Sequence, residues 1–155
     1  MHYDKQVDKE IWHFLSYSHA SLLTCWHLST TDYITLRSVP PHVASGENVL
    51  LFAHNMPEDI LAFAWFKGVT SMKHGIAMYE LHKNLSVTGP AHSGRETVYR
   101  NGSLLLERVT ERDSGFYTLQ TLDRQGEIVS TTNMRLHVYP SEFRGLSIQR
   151  RTHMV

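Results

Sequence analysis

The chain has 155 residues, of which 15 are basic and 15 acidic, so its formal charge is zero. A neutral chain lacks the basic surface that most nucleic-acid-binding domains present, so nucleic acid is not an expected partner. Hydrophobic residues make up 41% of the chain, which is enough for one core. We therefore expect a single globular domain.

Residues 1–31 have the character of a degenerate leader. Two apolar patches, Ile11–Leu15 and Ala20–Trp26, precede the small residues Ser29–Thr31. A secretory signal has an unbroken apolar run of about 7 to 15 residues after a basic start. Here His13 and other polar residues interrupt the run. We expect a signal-like segment that is atypical for secretion.

From Tyr33 onward, short apolar runs alternate with turn residues, which is the pattern of an all-β sandwich or barrel. Pro140 ends the last of these runs, and residues 141–155 are predicted to form a flexible tail. The remaining residues 32–140 match the size of one immunoglobulin-type domain, about 100 residues. The predicted strands are Tyr33–Val39, Val49–His54, Leu61–Lys67, Gly75–Leu81, Thr97–Tyr99, Ser103–Val109, Gly115–Leu122 and Ile128–Tyr139.

Three features identify the kind of sandwich. Trp65 lies in the third apolar run, where an immunoglobulin domain buries a tryptophan in its core. The segment Asp113-Ser114-Gly115-Phe116-Tyr117 has the form of the tyrosine corner, in which the tyrosine hydroxyl bonds to upstream backbone. Arg95 precedes the fifth predicted strand and is placed to pair with Asp113. Together they predict a variable-type, two-sheet sandwich.

The sandwich lacks its usual inter-sheet disulfide. Ala53 and Leu119 occupy the two cysteine positions, and Cys25 is the only cysteine of the chain. Such a disulfide contributes about 2 to 5 kcal/mol in a small secreted domain. We expect packing of Ala53 and Leu119 against Trp65 to offset this loss, together with the pair of Arg95 and Asp113.

The chain is similar to the N-terminal variable-type domain of the carcinoembryonic antigen family over about Thr31–Pro140. Within that match, Val87–Pro90 and Thr118–Leu122 favour the pregnancy-specific glycoprotein branch, while residues 1–19 and 141–155 do not match the family. The segments that carry the resemblance are Ser38–Pro41, Glu47–Leu51, His54–Pro57, Phe63–Gly68, Gly89–Tyr99, Asn101–Leu105 and Gly115–Gln120.

Two sequons predict N-linked glycosylation if the chain is secreted. Asn84-Leu85-Ser86 and Asn101-Gly102-Ser103 both fall in predicted loop or edge positions. Asn101-Gly102 also has the sequence of a tight hairpin turn, since both residues tolerate a positive φ. The two interpretations of Asn101 are compatible.

Strand alternation predicts a binding face. Along the third predicted strand Phe63 and Trp65 point inward, so Ala64 and Phe66 point out of the sheet formed by strands G, F, C and C′. An exposed Phe66 would lie at the centre of an apolar-polar patch suited to a protein interface. The alternative is that the C′ strand or a loop covers it. The predicted partner-binding residues are Leu61, Ala64, Phe66, Gln120 and Leu122.

Other chemistry lacks its motifs. Eleven histidines form no HExxH, HxH or cysteine-histidine cluster, so neither a metal nor a cofactor is expected. No G-x-S-x-G, G-x-G-x-x-G or P-loop occurs, so no enzymatic activity is expected. No apolar run approaches the ~18 residues of a membrane span.

The resemblance implies a secreted or cell-surface glycoprotein that acts in cell-surface recognition and immune modulation through its G-F-C-C′ face. Its partner would be a cell-surface receptor or a second copy. Alternatives are an adhesion module and an inactive, truncated isoform retained in the cell. Heparan sulfate is a further partner suggested by the family, but the available basic residues are dispersed along the chain: Lys67, Lys73, Lys83, Arg95 and Arg100.

Overall fold

The computed structural model of the chain describes residues 33–143. The predicted leader, residues 1–31, lies outside the described residues. Of the predicted tail, only Ser141–Phe143 are described, and they form a single 3₁₀ turn after the last strand.

Residues 33–143 form eleven strands, and the prediction of an all-β fold is confirmed. They are β1 (Thr35–Val39), β2 (Val43–Ala44), β3 (Val49–His54), β4 (Ile60–Lys67), β5 (Gly75–Glu80), β6 (Leu85–Thr88), β7 (Glu96–Val98), β8 (Leu104–Leu106), β9 (Gly115–Asp123), β10 (Ile128–Leu136) and β11 (Val138–Tyr139).

The strands form two main antiparallel sheets that pack face to face. One has four strands in the order β1-β3-β8-β7, and the other has five in the order β10-β9-β4-β5-β6. In the lettering of variable-type domains the five-stranded sheet corresponds to strands G, F, C, C′ and C″. A short parallel pair, β11 with β2, joins the last strand of the domain to its beginning.

Alternating side chains of both sheets fill the space between them. On β3 the buried residues are Val49, Leu51 and Ala53, whereas Leu50 and Phe52 are only half-buried. On β4, by contrast, nearly every residue is buried, so this strand appears in the sequence as one continuous apolar run. Such a run is typical of a strand that is covered on both of its faces.

Trp65 is the largest fully buried side chain, and its indole nitrogen donates a hydrogen bond of 2.8 Å to the carbonyl oxygen of Gly102. Gly102 lies in the β7–β8 turn with a φ of +92°, where a Cβ atom would lie 2.9 Å from the Met56 side chain. The positive φ therefore favours glycine here, and a larger residue would in addition have to displace the Met56 side chain.

Three details differ from the predicted strands. β2 has only two residues, between turn residues on both sides, and a strand of that length leaves no alternation to detect. β6 begins inside the sequon Asn84-Leu85-Ser86 and has only Val87 buried, so its sequence has the character of a loop. The predicted strand Ile128–Tyr139 is divided at His137, because the chain leaves β9 there and pairs with β2.

Candidate functional site

The outer face of the five-stranded sheet, which is turned away from the four-stranded sheet, is unusually apolar. Side chains of neighbouring strands lie side by side on this face. Ala64 on β4 lies opposite Gln120 on β9 and, on the other side of β4, opposite Met78 on β5. We call the buried apolar side chains of this face the outer-face cluster: Ala62, Ala64, Phe66, Met78, Val87 and Leu122. Three half-buried residues pack against its edges, namely Leu61, Leu85 and Ile128.

Phe66 is not exposed, contrary to the prediction. Its side chain points to the outer face, as alternation along β4 predicts, but it has 0% exposed surface. Ala64 is equally buried, Gln120 and Leu122 are each 4% exposed, and Leu61 is half-buried. The cluster members on the adjacent strands, Met78 and Leu122, are apolar and buried as well, so Phe66 belongs to a cluster instead of projecting alone.

Gln120 lies among these apolar side chains, and among the described residues only one of its two amide atoms has a hydrogen-bond partner. Its Nε2 atom donates a hydrogen bond of 3.3 Å to the hydroxyl of Thr131 on β10. Its Oε1 atom is buried and accepts no hydrogen bond from any described residue. An unsatisfied buried acceptor costs about 1 to 3 kcal/mol.

The exposed aromatic side chain of the outer face is Phe116, at the start of β9. Phe116 is 55% exposed, and the guanidinium of Arg135 lies 6.0 Å from its ring centroid. Val69 and Met72, in the β4–β5 loop, are 67% and 38% exposed. Alternation places Phe116 outward, yet sequence reasoning selected Phe66 because Phe66 lies nearer the centre of the sheet.

Hydrogen bonds attach the β4–β5 loop to β9 beside this aromatic side chain. The amide of Gly68 donates to the carbonyl oxygen of Phe116 at 2.7 Å. The hydroxyl of Thr118 donates to the carbonyl oxygen of Gly68, also at 2.7 Å. We call Val69, Met72, Phe116 and Arg135 the exposed rim of the outer face.

Asp113 holds the start of β9 in place. Arg95 donates two hydrogen bonds to its carboxylate, of 2.8 and 2.9 Å, in the two-pronged geometry that guanidinium and carboxylate favour. The backbone amide of Thr110 donates a third, of 2.8 Å. The hydroxyl of Tyr117 donates to the backbone carbonyl oxygen of Asp113 at 2.7 Å, which is the tyrosine-corner bond.

The pKa values at this corner follow from burial and pairing. Burial of Asp113 disfavours its charge, but the hydrogen bonds from Arg95 and Thr110 outweigh that effect, so its pKa is lowered overall. Burial raises the pKa of the Tyr117 phenol well above its usual range. Asp113 therefore stays charged and Tyr117 neutral at physiological pH.

The described residues also bear on metal ligation, on membrane-spanning helices and on the contacts of the basic side chains. Within residues 33–143 no group of three or more His, Cys, Asp or Glu side chains could hold a metal ion. No helix in that range is long and apolar enough to cross a membrane. Lys67 donates to the carbonyl oxygen of Arg112, and Lys83 pairs with Glu80.

The family profile of the immunoglobulin V-set domain matches residues 37–139. The chain belongs to the immunoglobulin V-set family. Among curated proteins, the chain is 55% identical over 124 residues to pregnancy-specific glycoprotein 22 of Mus musculus. It is 47% identical over 122 residues to the cell adhesion molecule CEACAM5 of the same species.

The chain spans only part of these relatives. The two matches cover 80% and 79% of this chain, but 26% and 13% of the relatives' own lengths. The resemblance of the V-set domain to the carcinoembryonic antigen family is confirmed.

Solved structures agree with this assignment. The V-set domain is similar to the crystal structure of murine CEACAM1b, with a TM-score of 0.67 and 45% identity, over 70% of this chain and 54% of that chain. A chain in the crystal structure of a mouse coronavirus receptor-binding domain complexed with its murine receptor is also similar, with a TM-score of 0.67, 42% identity and the same coverage.

The V-set domain has no inter-sheet disulfide, and its two cysteine positions carry apolar side chains. Ala53 on β3 and Leu119 on β9 belong to opposite sheets and to one buried cluster with Trp65. Leu119 lies directly opposite Trp65 in the β4–β9 register. Dispersion contacts and the burial of apolar side chains at this point stabilise the packing of the two sheets in place of a disulfide.

The two sequons lie in turns. Asn84 ends the β5–β6 turn, and Asn101 lies in the β7–β8 turn, where its Oδ1 atom accepts a hydrogen bond of 3.0 Å from the amide of Ser103. The amide of Gly102 donates to the carbonyl oxygen of Tyr99 at 2.9 Å, so the predicted hairpin turn at Asn101-Gly102 is present.

Asp113→Ala tests the corner. We expect it to lower the free energy of unfolding by about 3 kcal/mol, because it leaves the Arg95 guanidinium and the Thr110 amide without their acceptor. Urea denaturation measures the loss. Glu111→Ala, an exposed position on the same 3₁₀ turn, is the control and should change stability by less than about 0.5 kcal/mol. Equal effects of the two substitutions would contradict the assignment.

Acid should weaken the same corner. The pKa of Asp113 is lower in the folded state than its unfolded value of about 3.9, so its stabilisation is present above that pH and disappears as the pH falls through the folded-state pKa. We expect the unfolding free energy to fall below about pH 4, and to fall less steeply in Asp113→Asn. Urea titrations of both proteins from pH 6 downward, on the order of one unit per step, measure the difference. If the unfolding free energies of the two proteins change with pH in parallel, the protonation of Asp113 is not the cause of the loss of stability.

A restored disulfide tests the packing of the two sheets. We expect the double variant Ala53→Cys/Leu119→Cys to oxidise and to gain about 2 to 4 kcal/mol of stability, less any strain. Alkylation followed by mass spectrometry should then find one free thiol, that of Cys25. Three free thiols after oxidation would mean that the two positions do not face each other.

Proposed function

We propose that this chain is a non-enzymatic, secreted or cell-surface glycoprotein domain that recognises a protein partner through the outer face of its five-stranded sheet. The observation that carries the proposal is the exposed aromatic side chain on that face, since Phe116 is 55% exposed beside the guanidinium of Arg135. The outer-face cluster is itself buried, so it supports this face from beneath, and the surface available to a partner is the exposed rim.

Binding would begin at the exposed rim. Phe116 combines a large accessible ring with the neighbouring charge of Arg135, and aromatic and arginine side chains are enriched at the energetically dominant positions of interfaces.

The proposed partner is a cell-surface protein or a second copy of the chain. The names of similar proteins support both, since one relative is a cell adhesion molecule and one similar structure is a viral domain complexed with its receptor. Immune modulation is part of the proposal through the resemblance to the pregnancy-specific branch. A heparan sulfate partner is not favoured, because Lys67 and Arg95 are engaged at Asp113 and Lys83 at Glu80.

Secretion is proposed together with glycosylation of Asn84 and Asn101. The alternative, an inactive isoform retained in the cell, depends on residues 1–31, which lie outside the described residues. Expression of the complete chain in secretory cells separates the two. Glycosidase-sensitive protein in the medium would support secretion, whereas unglycosylated protein found only inside the cells would contradict it.

Phe116→Ala tests the binding face. After a pull-down from cell surfaces identifies a partner, we expect this substitution to weaken binding by about 2 kcal/mol or more, roughly 30-fold in Kd. Surface plasmon resonance measures the change, and circular dichroism melts show that the fold survives. Self-association in analytical ultracentrifugation provides the same comparison if the partner is a second copy.

Tyr99→Ala is the matched control, because Tyr99 is an exposed aromatic residue, 43% accessible, beside the four-stranded sheet. It should bind normally. If Tyr99→Ala weakens binding and Phe116→Ala does not, recognition uses the four-stranded sheet and the proposed face is wrong.

A further inference from the structure

β6 is an open edge of the five-stranded sheet. In the described part of the chain it pairs only with β5, through the register of Met78 with Val87 and Glu80 with Leu85. Ser86 and Thr88, its polar residues, are exposed. An unpaired edge presents free amide and carbonyl groups to any other strand, and proteins usually protect such edges with lysine, proline, bulges or a covering element. β6 contains neither lysine nor proline.

Asn84 immediately precedes this edge and is held in one orientation. Its Oδ1 atom accepts hydrogen bonds from the hydroxyl of Tyr79 and from Arg100, the latter of 3.0 Å. Arg100 also donates to the carbonyl oxygen of Leu81, at 3.0 Å. Tyr79 is itself fixed, because its ring stacks on Phe63 at a centroid distance of 5.7 Å.

The side-chain amide nitrogen of Asn84, to which a glycan would be attached, lies outside this hydrogen-bond network. The Nδ2 atom of Asn84 takes part in no hydrogen bond with a described residue, and the residue as a whole is exposed. With the oxygen side of the amide turned toward Tyr79 and Arg100, the nitrogen side is turned away from them. A glycan attached at Nδ2 would keep both hydrogen bonds of the oxygen and would leave the domain in a fixed direction.

We propose that a glycan on Asn84 protects the β6 edge against strand addition. Bulky, hydrated sugar placed at the first residue before the strand would obstruct an approaching strand, which is the role that lysine or proline has on other edges. The same glycan would occupy the β6 side of the outer face, so that a partner approaches from the β9 and β10 side. Asn101 has no such role, because its turn joins β7 to β8 in the other sheet.

Occupancy is the first part of the test. The complete chain carrying Asn101→Gln is produced behind a heterologous secretion signal, so that the result does not depend on residues 1–31. We expect its mass to fall on treatment with an N-glycosidase. In the same background Ser86→Ala should abolish this shift while leaving the Asn84 amide and its contacts intact. Absence of a glycan on Asn84 in secreted protein would overturn the proposal.

Edge protection is the second part, measured by analytical ultracentrifugation of two variants that both lack the glycan. Ser86→Ala leaves β6 unprotected and should shift from monomer toward dimer as the concentration rises. Ser86→Lys restores protection by charge and should remain monomeric. The other edge strands are identical in the two proteins, so a difference between them assigns the association to β6.

Equal behaviour of Ser86→Ala and Ser86→Lys would overturn the proposed role of the glycan. Because the readouts are mass and self-association through β6, this result is distinguishable from a failure of partner binding at the exposed rim.

Discussion

Asp113 joins the segment before β7 to the start of β9. Its carboxylate accepts hydrogen bonds from the guanidinium of Arg95, which precedes β7, and from the nearby backbone amide of Thr110. Its backbone carbonyl oxygen accepts a hydrogen bond from the hydroxyl of Tyr117 on β9. These bonds tie an edge strand of one sheet to a central strand of the other. In a sandwich without a disulfide, this corner and the packing around Trp65 are what keep the two sheets in register.

That register decides the chemistry of the outer face. The tyrosine corner sets where β9 begins, and alternation then directs Tyr117 and Leu119 inward and Phe116, Gln120 and Leu122 outward. A slip of one residue would exchange these two sets. The recognition face is therefore a consequence of the corner, although no residue of the outer-face cluster contacts Asp113 in a described hydrogen bond.

The sequence alone predicted most of the fold because its signals are local. Turn residues mark the strand ends, Trp65 and the Asp113–Tyr117 segment identify the variable-type sandwich, and alternation gives each side chain its direction. Burial, by contrast, depends on what neighbouring strands contribute. The sequence around Phe66 contains no information about Met78 or Leu122, which surround it only after β4, β5 and β9 have paired, so its exposure was predicted wrongly. The missing strands, β2 and β6, are too short or too polar for a pattern to reveal them.

The parallel pairing of β2 with β11 gives the domain a particular response to mechanical load. Val138 lies opposite Val43, and the amide of Ser45 donates to the carbonyl oxygen of Tyr139 at 2.7 Å, so the first and last parts of the described domain run side by side. A force that pulls residue 33 and residue 143 apart acts along these two strands in opposite directions. The bonds between them are then sheared together instead of opening one after another. Because the β2–β11 pair is only two residues long, it opposes this load with very few bonds, in addition to the five-residue pairing of β1 with β3 that lies between residue 33 and β2.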